Sequence, residues 1–311
     1  MNAVKSKRYL HHAWLSGSDV TETFSKSVQF TSTALILSGL LHLSLFALGE
    51  ANWEGAVSPR KPALFGLSTG LTVCSLAWCC RVLGSDRRFL GVTVGISWAL
   101  LVEVMLITLQ YWRGVPSHFN RSTGLDAIIE LMMLALIACV TVGIAWTCWF
   151  SMKLFAVDVG KLLAIRAGLF FLLLSCLLGF ATMFMGEYNL SVGQPVETWG
   201  RAGVLKYPHG AVLHALQILP ILNWGLTKLA VPRRIGMLMC GVSSHLLFLF
   251  HAIWQTCHGR ERLDVDFVGQ TMLVSAVVMF FIPVVAILLC GLFRGTRSAS
   301  RKSSSRSQVP E

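Results

Sequence analysis

The chain has 311 residues, 54% of them hydrophobic and only 13% charged, with a formal net charge of +11 and a mean hydropathy of +0.65. Soluble domains balance near half apolar against a quarter charged, so this composition excludes a water-soluble globular protein and points to a membrane protein in a lipid bilayer. An excess of Lys and Arg suggests nucleic acid in a soluble chain, but here it reads as the cationic loops of a membrane topology, and no nucleic-acid partner is expected.

Residues 1–28 are polar and basic, with Lys5, Lys7 and Arg8. They lack the apolar core and small-residue cleavage site of a secretory signal, so the first apolar run is expected to be a retained helix. Eight runs reach the roughly 20 residues needed to cross about 30 Å of hydrocarbon. They fall near 29–49, 62–83, 90–111, 126–150, 162–185, 209–230, 235–256 and 267–293. Backbone groups find no water in lipid, so such runs must be helical, and the expected fold is an all-α integral membrane bundle of eight transmembrane helices. The Ser/Arg-rich tail 294–311 is too polar to order itself and is expected to be a disordered basic cytoplasmic tail.

Counting Lys and Arg on the two sides gives 18 on the side of both termini and 8 on the other. By the positive-inside rule both termini are cytoplasmic, and the protein belongs in the inner (plasma) membrane. The nine cysteines, an odd number, lie mostly inside apolar runs and form no disulfide or zinc pattern. Shifting the chain by 145 residues lays Lys61 on Lys206, Gln110 on Gln255 and Gly114 on Gly259. That matches a four-plus-four tandem duplication with parallel halves, although three identities are also within reach of coincidence.

The polar residues gather toward the outer side. Glu103 and Gln110 share a face of the third run, which ends in a loop carrying Arg113, His118 and Asn120, and Asp126 and Glu130 open the fourth. His209, His214 and Gln217 open the sixth run, while Ser244, His251, Gln255 and His258 form one stripe along the seventh. An ionisable residue within a membrane costs a few kcal/mol and faces a cavity or a partner. Glu103 is therefore expected to be protonated, paired with a cation such as Arg113, or bound to a metal, with a structural ion pair as the plain competing explanation. His11 and His12 are interfacial, and His42 and His245, alone at mid-depth, are better explained by bonds to a neighbouring helix than by a ligand. His118, His209, His214, His251 and His258 form a denser set whose chemistry suits haem or a transition metal, although no pair has the spacing of a metal motif. Met183 and Met185 are better read as packing residues than as soft metal ligands. Lys61 and Arg113 suit an anion.

The string Arg113-Gly-Val-Pro-Ser-His-Phe-Asn120 after Gln110, with Asp126, Pro208-His209, Leu213-His-Ala-Leu-Gln-Ile-Leu-Pro220 and Trp254-Gln255 before Gly259, resembles a family of uncharacterised multi-pass bacterial inner-membrane proteins. The resemblance implies the eight-helix membrane fold and no particular activity. The four-plus-four layout is also similar to haem A synthases at the level of architecture alone, since Ser68, Thr69 and Thr72 stand where their Glu-x-x-His-Arg type motif belongs.

Three functions compete. In an outward-facing oxidoreductase the five histidines hold haem or a metal, Glu103, Arg113 and Asp126 do the chemistry, and Lys61, Gln110, Asn120, Gln217 and Gln255 hold substrate or orient ligands. In a small-solute or ion transporter, Glu103 and the histidine stripe handle protons. In an assembly protein the same residues merely knit the bundle. No Gly-x-Ser-x-Gly elbow, phosphate-cradling Gly loop or His-Glu-x-x-His helix is present.

Overall fold

A computed structural model describes residues 17–49, 52–84, 86–153 and 158–306, with side chains described between residues 21 and 292. His11 and His12 lie outside the described residues. Among the described residues, eight helices are long and apolar enough to cross a membrane. The elements are α1 (Gly17–Leu48), α2 (Arg60–Leu83), α3 (Arg87–Trp112), α4 (Gly124–Ser151), α5 (Val159–Ser191), β1 (Thr198–Trp199), β2 (Gly203–Val204), α6 (Tyr207–Val212), α7 (Ala215–Lys228), α8 (Arg234–Cys257) and α9 (Phe267–Arg306).

Three boundaries differ from the sequence reading. Helix α1 begins at Gly17, ahead of the apolar run, and buries Phe24 and Val28. Its polar first turns are held by a Glu22–Lys26 pair one turn apart. At the other end the α9 backbone continues to Arg306, past the expected boundary at 293, because no proline interrupts it between Pro283 and Pro310. The sixth span is two helices, broken at Leu213-His214, where His214 takes φ −96° and ψ 10°.

The helices form two sets. In the first, α1 packs on α2 and α3, and α3 packs on α4; in the second, α5 packs on α6 and α7, and α8 packs on α6, α7 and α9. The sets meet through α4 with α5 and α2 with α7. Lipid tails are as apolar as leucine, so close backbone approach is what joins such helices. At the α1–α2 crossing a Cβ on Gly66 would stand 2.7 Å from the Gly39 nitrogen and from the Leu35 carbonyl oxygen. Only glycine permits that approach.

The ends of α3 and α8 are built alike. Gly114 (φ 71°) donates to Tyr111 O at 3.0 Å and Val115 donates to Gln110 O at 3.1 Å. Gly259 (φ 62°) donates to Thr256 O at 3.0 Å and Arg260 donates to Gln255 O at 3.0 Å. Both ends are Schellman motifs, with glycine in the left-handed position where a side chain would be strained. Each motif starts from a buried glutamine.

Candidate functional site

Asp126 sits in the first turn of α4, whose N-cap Thr123 accepts a bond from the Asp126 N–H. Its carboxylate is 1% exposed and saturated. One oxygen accepts from Gln110 Nε2 at 3.1 Å and Arg113 Nη1 at 2.7 Å. The other accepts from Thr123 Oγ1 at 2.6 Å and lies 3.3 Å from the Ser122 hydroxyl. Arg113 also donates to Gln110 Oε1. Asn120 accepts from the Ser122 N–H at 3.2 Å and donates to Pro116 O at 3.3 Å. Of the three settings open to Glu103, the pairing with Arg113 gives way to a pairing of Arg113 with Asp126, because the loop folds back over the start of α4. Asp126 and Gln110 are bonded to each other, and Asn120 reaches this network only through Ser122.

A second knot ties this loop to the other set of helices. Glu130, one turn beyond Asp126, accepts from the Phe119 N–H and from Arg121 Nε, both at 3.2 Å, and Arg121 Nη2 reaches Glu187 of α5 at 2.9 Å. Phe119 is held at φ 57°, and its ring sits against Gly186 of α5. The Asp126/Glu130 spacing was the only trace of this knot in the sequence. Its partner Glu187 lies too far along the chain to be recognised.

The histidines lie in separate settings. His118 Nδ1 is 2.9 Å from Ser117 Oγ, and burial, reinforced by the charge of Lys61, pushes the ring down to about 4. His209 donates from Nδ1 to Ser175 O of α5 at 2.7 Å, while Ser175 Oγ donates to His209 O at 2.8 Å. Nothing in the sequence marked Ser175. His214 stands at the break of the sixth span, within electrostatic reach of His209. His251 donates from Nδ1 to Gly269 O of α9 at 2.9 Å, and the rings of Phe248 and Tyr207 pack at 6.2 and 6.0 Å from its own. Its buried Nε2 has no partner. His258 is exposed at the end of α8. On that stripe Ser244 donates to Ala276 O at 2.7 Å, and Gln255 donates to Glu261 O and Asp264 O at 2.9 Å each. The stripe thus faces α9 and the loop leading to it, as polar residues that join membrane helices do. Among the described residues no three His, Cys, Asp or Glu side chains gather as a metal site, so the haem or metal centre expected on the five histidines finds no support in their arrangement. His42 accepts from Trp112 Nε1 of the neighbouring α3 at 3.2 Å and donates to Ser38 O of its own helix at 2.7 Å, while His245, against the expectation of a neighbouring helix, bonds Gly241 O one turn back on its own helix at 2.8 Å.

What stays chemically unspent is deeper. Glu103 is 5% exposed and its Oε2 has no partner. It lies about 14 Å along the axis from the end of α3 at Trp112, within electrostatic reach of Cys176 on α5. At a similar depth, Gln217 of α7 donates to Thr72 Oγ1 of α2 at 3.4 Å while its own Oε1 is buried without a partner. Nearer the surface, Lys61 lines a small cavity between the start of α2 and the end of α3. At the other end of the bundle the Asp158 carboxyl is held below the usual carboxylate range by Arg234 Nη2 at 2.7 Å and by the Lys161 N–H.

No protein family, curated protein or solved structure matches the chain.

Proposed function

We propose that this chain is a proton-linked small-solute carrier of a bacterial inner membrane, built from two parallel four-span repeats with both termini in the cytoplasm. The observation that carries the reading is Glu103: a carboxyl buried at mid-depth, whose Oε2 has no hydrogen-bond partner and which forms no ion pair among the described residues. A lone carboxylate at that depth is costly as an anion, which makes the proton its natural ligand and proton transfer its natural work. In carriers built from repeats, such groups sit near the bilayer midplane, where the halves meet and a span is broken. Here the Gln217–Thr72 contact joins the halves, the span bearing Gln217 is broken at Leu213-His214, and Glu103 lies at the same depth.

Two further observations support the repeat. Thr72 and Gln217 are 145 residues apart, the offset that also superposes the two Schellman ends, and equivalent residues meet where a two-fold axis passes. The order of helix neighbours is also the same in both sets. Ion pairs close both ends, Arg121–Glu187 at one and Asp158–Arg234 at the other, so this reading takes the structure as the occluded state. The excess of Lys and Arg on the side of the termini supports the orientation. The oxidoreductase reading draws no support from the histidines, since among the described residues no three His, Cys, Asp or Glu side chains gather.

Alternating access requires that water reach Glu103 from each side in turn. The native Cys176 thiol reports this without knowledge of the solute. In right-side-out and inverted vesicles, a membrane-impermeant maleimide should alkylate Cys176 from both sides, and Glu103→Gln should change the two rates in opposite directions. Cys176 inert from one side in all conditions, or a Glu103→Gln variant altered only in thermal stability, refutes the carrier. A carboxy-terminal green fluorescent protein should fluoresce, and alkaline phosphatase fused there should be inactive; the opposite pattern overturns the orientation.

A further inference from the structure

We propose that the cavity between the start of α2 and the end of α3 is a binding site for a halide-sized monovalent anion, held by the Lys61 ammonium and the hydroxyls of Ser58, Tyr111 and Ser117.

The argument begins with local charge. Three cations and two carboxylates meet here: Arg60, Lys61 and Lys206 with Glu54 and Glu197. Arg60 takes Glu54 at 2.6 Å, and Lys206 takes Glu197 at 2.6 Å. Lys61 feels Glu197, Lys206 and Arg60 electrostatically but forms no ion pair among the described residues. It is the cation left over. A half-buried ammonium at a membrane edge needs a counter-charge, because a water bonds to it without balancing it.

The cavity supplies the complement. Its polar lining is Lys61, Ser58, Tyr111 and Ser117, with Ile107 and Val115 among the apolar walls and no Asp or Glu. Ser58 is 3% exposed and Ser117 5% exposed, so both lining serines are shielded from bulk water, and with His118 Nδ1 donating to Ser117 Oγ at 2.9 Å the Ser117 proton is left for the anion. Lys61 lies in the first turn of the 24-residue α2, where free backbone N–H groups add positive potential. His118, beside Ser117, is pushed down to about 4 and stays neutral near pH 7, adding no competing charge. The space accommodates about one water-sized group, which selects chloride or bromide over phosphate or sulfate. Ile107 lies one turn above Glu103 on the same face of α3, about 6 Å along the axis.

The site stands on binding geometry alone and does not require the carrier reading. The test is thermal unfolding of the full chain in detergent at constant ionic strength, with sodium gluconate replaced stepwise by sodium bromide, chloride or phosphate. Bromide and chloride should raise Tm along the logarithmic linkage curve, by about 3 °C at ten times Kd. Phosphate should behave as gluconate does. Lys61→Gln should abolish the rise, and Lys26→Gln, which removes an exposed cation of α1 paired with Glu22, should keep it. If Lys61→Gln does not fold, Ser58→Ala takes its place, with at least a threefold higher fitted Kd expected. Coincident halide and gluconate curves, an equal response to phosphate, or an unchanged fitted halide Kd in the folded Lys61 or Ser58 variant each overturn the proposal.

Discussion

Replacing Asp126 by Ala tests the outer network most directly. Asp126 accepts from Gln110, Arg113 and Thr123 and is 1% exposed, as is Gln110. Its loss leaves the Gln110 amide buried without an acceptor, at about 1–3 kcal/mol. Arg113, with a side chain 30% exposed, recovers part of its hydration and limits its own share. The expected loss is about 3 kcal/mol, at the lower edge of the range for breaking a buried charge pair. Arg113→Ala should cost less, about 1–2 kcal/mol, because Asp126 keeps its Gln110 and Thr123 donors. The assay is reversible unfolding in mixed micelles with increasing SDS, followed by tryptophan fluorescence, on both single variants and the double variant. The double variant should be less destabilised than the sum of the singles, since the bonds overlap. Equal costs for the two singles, or a cost below about 1 kcal/mol for Asp126→Ala, refutes the reading of Asp126 as the saturated centre of the network.

Gly66→Ala should cost about 1–3 kcal/mol by pressing a methyl into α1 backbone, readable as a lower Tm. Arg121→Ala should cost less than about 1 kcal/mol in the same unfolding assay despite its two ion pairs, because its side chain is 63% exposed. His118 titrates in the unfolded chain near 6.5 and in the folded chain at about 4, chiefly through burial and secondarily through Lys61. The folded state resists the proton, so the stability it contributes is fully present above 6.5 and is lost as pH falls toward 4. His118→Gln should flatten the Tm profile between pH 6.5 and 4; an unchanged slope there refutes the assignment.

The eight spans were legible because a membrane helix is fixed by length and hydropathy, and both can be read along one chain. The Thr123 cap and the Gly114 and Gly259 endings follow from local rules as well, and so does the bond of His245 to Gly241 O one turn back on its own helix. Pairing did not follow. Arg113 lies close in sequence to both Glu103 and Asp126, and only the fold of the loop turned it to Asp126. The stripe of Ser244, His251 and Gln255 was visible as a stripe, yet its partner was decided by α9 packing against α8, which periodicity on one helix cannot specify. The cluster around Lys61 depends on Glu197 and Lys206 arriving from a distant loop. Residues on one helix announce their shared face; which helix that face meets is set by close packing, and glycine contacts such as Gly39 with Gly66 decide it only in three dimensions.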